Sequence, residues 1–127
     1  MMKKWYEGTE IEKKIPDFKL TNVKYITDFH YYIDNNSYYE KVSFLEIDFL
    51  LKTEVRKFTL KMKFNDVSSL NLLGFGNAYN QLMGFKINDL SNNCFEKNKK
   101  YLVEDYENNI LKFYCSGLEV LSLDELE

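Results

Sequence analysis

The sequence predicts an all-β fold: a single antiparallel sandwich or barrel-like domain of about eight strands, with at most one short helix. Three observations carry this. Ten Phe, ten Tyr, seven Ile, six Val and five Thr stand against a single alanine, Ala78, so the composition favours a pleated, half-buried surface over a helix. Apolar residues recur with period two along most of the chain. Turn-forming residues break that pattern at the spacing of a sandwich or barrel. With 127 residues there is room for one conventional domain, taken here as residues 1–127.

The elements follow in order. Residues 1–16 are polar and form a short helix or an edge strand, with Trp5 plugging one end of the core. In the next stretch Val23, Tyr25, Phe29, Tyr31 and Ile33 alternate onto one face, and Asp34-Asn35-Asn36-Ser37 then turns, since Asn tolerates positive φ. From Tyr39 to Leu51 a second long strand carries Leu45, Ile47, Phe49 and Leu51 on one side and Glu46 and Asp48 on the other. Lys52-Thr53-Glu54 makes a corner. Phe58, Leu60, Met62 and Phe64 then alternate with Lys57, Thr59, Lys61 and Lys63, one face core and the other water. Val67 to Leu72 is a short strand, Asn77 to Leu82 a single helical turn, and Met83 to Ile87 a strand in which Gly84 marks a bulge or close approach. Ser91 to Lys100 is a polar loop. Residues 101–106 and 110–115 flank Glu107-Asn108-Asn109 as a hairpin. A last strand, Leu118 to Leu123, precedes a loose acidic tail at 124–127.

The same residues exclude several functions. A net charge of −3, a pI near 5.3 and one arginine, Arg56, argue against nucleic-acid binding, which relies on basic patches and guanidinium forks. No apolar run is long enough to span a membrane, and no apolar segment follows the N-terminal lysines, so the expectation is a cytoplasmic domain. Cys94 and Cys115 fit no metal-ligand spacing and are expected to be reduced, partly buried thiols. His30 is the single histidine; it alternates with Phe29 and Tyr31 and so faces away from them. Without a nucleophile–base pair, a phosphate loop or a metal cluster, the expectation is a non-enzymatic protein with no cofactor and no metal. Glu46 and Asp48 share a face at a separation that glycosidases use, but on an acidic strand they read as a solvated surface.

Binding is better supported. Tyr31, Tyr32, Tyr38 and Tyr39 flank one turn, with Asp34 and Glu40 among them. Tyrosine brings large contact area at low entropic cost together with a hydroxyl. Because side chains alternate, Tyr31 and Tyr32 cannot both face the core. A second candidate is Glu104, Asp105 and Glu107 beside Tyr106. An acidic chain more naturally meets a basic partner.

One resemblance bears on the partner. Phe64-Asn65-Asp66-Val67, Leu70-Asn71-Leu72, Met83 to Asp89, Tyr101 to Glu107 and Ile110 to Cys115 occur in an order that resembles small bacterial β-domains, some of them grouped with immunity proteins of polymorphic-toxin loci. The resemblance covers about half of the chain, 58–121, and rests on strand patterns. It implies an antitoxin-like binder that covers the active surface of a basic toxin domain, and it brings no catalytic residues. The alternative is a small-ligand or carbohydrate-binding barrel or sandwich. The inner row Phe58, Leu60, Met62 and Phe64 offers such a cavity no polar lining, which favours a packed core.

Overall fold

Two rows of apolar side chains build the centre of the molecule. In the computed structural model, which describes residues 4–76, 78, 80–90 and 99–127, Leu45, Ile47, Phe49 and Leu51 of strand β2 (Lys41–Lys52) lie beside Phe58, Leu60, Met62 and Phe64 of β3 (Lys57–Asn65), all fully buried. Each such side chain contributes about 1.5–3 kcal/mol when removed from water. Antiparallel pairing sets Leu45 against Phe64 and Phe49 against Leu60, so the two rows reinforce one another.

Two antiparallel sheets enclose this core. The larger has the order β5-β1-β2-β3-β9, with β1 at Val23–Asn35, β5 at Asn80–Gln81 and β9 at Gly117–Leu126. The smaller has the order β4-β8-β7-β6, with β4 at Ser68–Leu72, β6 at Phe85–Asp89, β7 at Tyr101–Asp105 and β8 at Leu111–Cys115. The result is a sandwich, not a closed barrel. One bent ribbon joins the sheets. β3 passes into β4 at Asp66 (φ 57°) while its partner β8 passes into β9 at Ser116, and the Ser116 N–H donates to Asn65 O at 3.0 Å. Bends of this kind let one strand pair serve both layers. Phe64 meets Phe113 across the gap with ring centroids 5.0 Å apart, and Phe49 meets Phe85 at the same distance.

The polar N-terminal segment forms a short helix, α1 (Glu10–Lys14), whose N-cap Thr9 accepts from the Ile11 N–H at 3.2 Å. Ile11 and Ile15, four apart, point into the core. Trp5 plugs one end as expected, its ring edge-on to Tyr6, Phe18 and Phe85. Among the described residues no helix is long and apolar enough to cross a membrane.

Four expectations need correction. β1 carries two bulges, at 23–25 and 26–28, where it advances two residues while β2 advances one. Each bulge reverses the alternation, so Ile26 faces the core and Tyr25 faces outward, with the Lys52 ammonium 5.3 Å from its ring centroid. The helical turn expected over 77–82 is instead the two-residue strand Asn80–Gln81; Asn77 and Tyr79 lie outside the described residues. The tail is not loose. β9 runs to Leu126, and Glu125 accepts from Arg56 Nε at 3.0 Å and Nη2 at 2.8 Å. Cys115 is fully rather than partly buried. Cys94 and most of the expected loop 91–100 lie outside the described residues.

Candidate functional site

The β1–β2 hairpin outruns its sheet. β3 stops pairing at Phe44↔Asn65, whereas β1 and β2 continue through Ile33↔Ser43 and Asp34↔Val42 to Asn35↔Lys41. Three extra pairs carry the tip about 10 Å past the end of β3. On its inner side the Ser43 hydroxyl donates to Val67 O at 2.6 Å, and Ile33, paired with Ser43, is left open. Tyr31 is 44% exposed and Ile33 64%, although both continue the buried row on which Leu45 and Ile47 sit.

A single asparagine organises the tip. Asn36 Oδ1 accepts from the Tyr38 N–H at 2.8 Å and the Glu40 N–H at 3.0 Å. The Asn36 backbone N–H donates to Glu40 O at 2.9 Å, and its carbonyl accepts from the Tyr39 N–H at 3.0 Å. This is a three-residue loop whose last residue must adopt left-handed geometry, normally the place of glycine or asparagine. Tyr39 occupies it, at φ 62°. An aromatic residue held there costs about 1–3 kcal/mol. Tyr38 and Tyr39 are 80% and 88% exposed, so no packing offsets that cost.

The structure divides the first group of expected site residues. Asp34, Tyr38, Tyr39 and Glu40 are exposed along the overhang and its tip, and Tyr31 is exposed on β1 opposite Leu45, before the overhang begins. Tyr32 belongs to the outer face of the sheet. Its hydroxyl donates to Glu46 Oε2 at 2.6 Å, and its ring lies between His30 (4.7 Å) and Phe44 (5.4 Å). Holding that proton on Glu46 pushes the phenol up to about 12. Asp48, on the same face, faces Lys61 Nζ at 3.8 Å, and desolvation raises its carboxyl above the usual range. Lys63 covers the Phe44 ring at 4.7 Å. Glu46 and Asp48 are therefore occupied by neighbours on their own sheet.

The second group does not form a surface. Asp105 is fully buried, which removes it as a contact residue. Its inward orientation follows from pairing with Phe85, and its Oδ1 accepts from the Gly84 N–H at 2.8 Å. Glu104 is half-buried and accepts from Asn88 Nδ2 at 3.0 Å, while Glu107 is exposed on the β7–β8 turn. Sequence reasoning did not single out Ile33, which it placed on one face with Val23, Phe29 and Tyr31. The signal was the length of the first two strands: apolar alternation that runs up to a turn outlasts the shorter strands available to cover it.

A second concavity lies at the other end of β1. Leu20, Val23, Leu82 and Phe85 form the apolar part of a groove of ≈ 410 Å³, with Lys24, Lys86 and Tyr106 on its margins. Gly84 is required there, because a Cβ would meet the Tyr106 ring at 2.9 Å. The Tyr106 N–H donates to Gly84 O at 2.9 Å and the Leu82 N–H to Lys24 O at 2.7 Å, which holds both walls. Among the described residues neither lysine joins an ion pair, and no group of three or more His, Cys, Asp or Glu is placed to hold a metal ion. Comparison with family models, curated proteins and solved structures finds no match to this chain.

Proposed function

We propose that the chain is a non-enzymatic protein-binding module of the antitoxin or immunity kind, acting in the cytoplasm by covering a basic partner. Its contact element is the overhanging β1–β2 hairpin. The observation that carries this reading is Tyr39. Strained backbone positions cluster at contact and functional sites, and the Tyr39 ring buries almost nothing in its own fold. Tyr38, Tyr39, Tyr31 and Ile33 then supply the desolvated centre of an interface. Asp34, Glu40 and the net charge of −3 steer a basic protein towards it.

The test is capture of partners by the tagged chain at low and high salt, beside the variants Tyr38→Ala and Tyr39→Gly. A stoichiometric basic partner is expected, released by salt, and lost from both variants while their melting temperatures hold or rise. A partner retained by Tyr39→Gly sinks the tip as the contact.

A small-ligand reading is favoured by a different observation, the groove with its apolar floor and two lysines that form no ion pair among the described residues. Its volume lies in the range of ligand sites, and its chemistry suits an organic anion with an apolar body. Amide shifts at Leu82, Gly84 and Lys86 on adding naphthoate, absent with naphthylmethanol, would establish it; equal shifts with both would exclude charge recognition.

A further inference from the structure

The outer edge of β1 lacks the protections that the opposite edge of its sheet carries. β5 pairs with β1 only at Tyr25↔Gln81 and Ile26↔Asn80. Beyond Ile26, no described residue pairs with the side of β1 opposite β2 over residues 28–34, about 23 Å of strand. Natural sheets blunt such edges with lysine, proline, bulges or a covering element. β9, the opposite edge of the same sheet, uses two of these. It bulges at Leu121, between the pairs Lys61↔Ser122 and Met62↔Val120, and the Lys14 ammonium from α1 donates to Leu123 O at 2.6 Å. Residues 28–34 contain no lysine or proline and no bulge.

The two sides of this edge differ in chemistry. The inner row is Phe29, Tyr31 and Ile33. Phe75 covers Phe29 at 5.3 Å, so the uncovered apolar surface lies over Tyr31 and Ile33. The outer row is Asp28, His30, Tyr32 and Asp34, with an exposed carboxylate at each end. A second copy fits poorly. Antiparallel self-pairing centred on Tyr31 would set Asp28 against Asp34 of the other copy twice, and like charges directly opposite destabilise a strand pair.

We propose that β1 accepts an added strand from its protein partner, an extended segment whose apolar side chains point inward over Tyr31 and Ile33 and whose basic side chains point outward beside Asp28 and Asp34. This rests on the protein-binding reading and names the kind of segment bound. Backbone pairing supplies affinity in such strand addition, and the alternating side chains supply selectivity.

The probes are two capped heptapeptides, one alternating lysine with valine and one alternating glutamate with valine, added to the full chain. The readout is amide hydrogen exchange at residues 28–34. The lysine peptide is expected to slow exchange of the edge-facing amides by about tenfold or more, and the glutamate peptide is not. In the double variant Asp28→Lys, Asp34→Lys the preference should reverse, with the lysine peptide about fivefold weaker, as expected for two exposed ion pairs. No protection at millimolar peptide, or equal protection by both peptides, overturns the proposal. Protection that grows with protein concentration and needs no peptide also overturns it, by making a second copy the occupant. If the peptides fail while Tyr39→Gly still loses the captured partner, only the strand addition falls. If the peptides bind while Tyr39→Gly keeps the partner, only the tip contact falls.

Discussion

Tyr39 sits where the backbone prefers glycine, and its side chain is almost wholly in water. Replacing it by glycine removes the left-handed strain and adds some unfolded-state entropy, for a net gain of about 0.5–1 kcal/mol in unfolding free energy. Asn36→Ala acts the other way. It deletes the acceptor shared by two backbone N–H groups and should cost about 1–2 kcal/mol, read from urea midpoints. Two other residues make the fold sensitive to alkali. Burial pushes the Cys115 thiol from its usual 9.0 up to about 12, and Glu46 pushes the Tyr32 phenol from 10.0 up to about 12. The unfolded chain releases both protons earlier, so stability is full below pH 9.0 and drains as pH rises towards 12. Urea midpoints measured from neutral to alkaline pH should fall, and fall less in Tyr32→Phe. An unchanged slope in that variant would place the loss elsewhere.

At the scale of elements, alternation in β2 and β3 was readable directly, because each strand is flanked on both sides and every second residue must be apolar. β1 was readable only in part. Its bulges shift the phase twice, and Ile26, an apolar residue out of step with Val23 and Phe29, was the trace they left in the sequence. The close approach anticipated at Gly84 is present. Gly84→Ala should cost about 1–3 kcal/mol, since the new methyl meets the Tyr106 ring and must displace it. Melting temperature reports this, and Gly74→Ala is not an equivalent control because Gly74 lies at positive φ. Asp105 was misplaced for a related reason. Its charge argued for solvent, whereas its pairing with Phe85 turns it inward and Gly84 gives it a donor.

The whole molecule is held by its packed centre and stapled at its ends. Phe49→Ala should cost about 3–5 kcal/mol, the loss of a fully buried aromatic that also meets Phe85. Tyr38→Ala should stay within about 0.5 kcal/mol of the parent. If calorimetry gave the two similar losses, the tip would be part of the core and the binding proposal would fail. The single arginine serves the fold. Arg56 grips Glu125 with two nitrogens and donates from Nη1 to Lys14 O at 3.2 Å, which ties α1, the β2–β3 corner and the end of β9 together.

The sequence by itself determined the all-β class, the antiparallel pairing of neighbouring strands and the position of most turns, because period-two alternation and turn chemistry are local properties. It also marked the tyrosine-rich hairpin as the place to look for contacts. Only the tertiary structure decided which tyrosines are exposed. Exposure on a strand depends on whether another layer covers that face, and coverage is set by where β3 ends, by two bulges in β1 and by the bent ribbon that joins the sheets. The lack of a described partner along residues 28–34 has the same reason: among the described residues β5 contributes two residues to that side of β1, and no property of β1 alone records how far its neighbour runs.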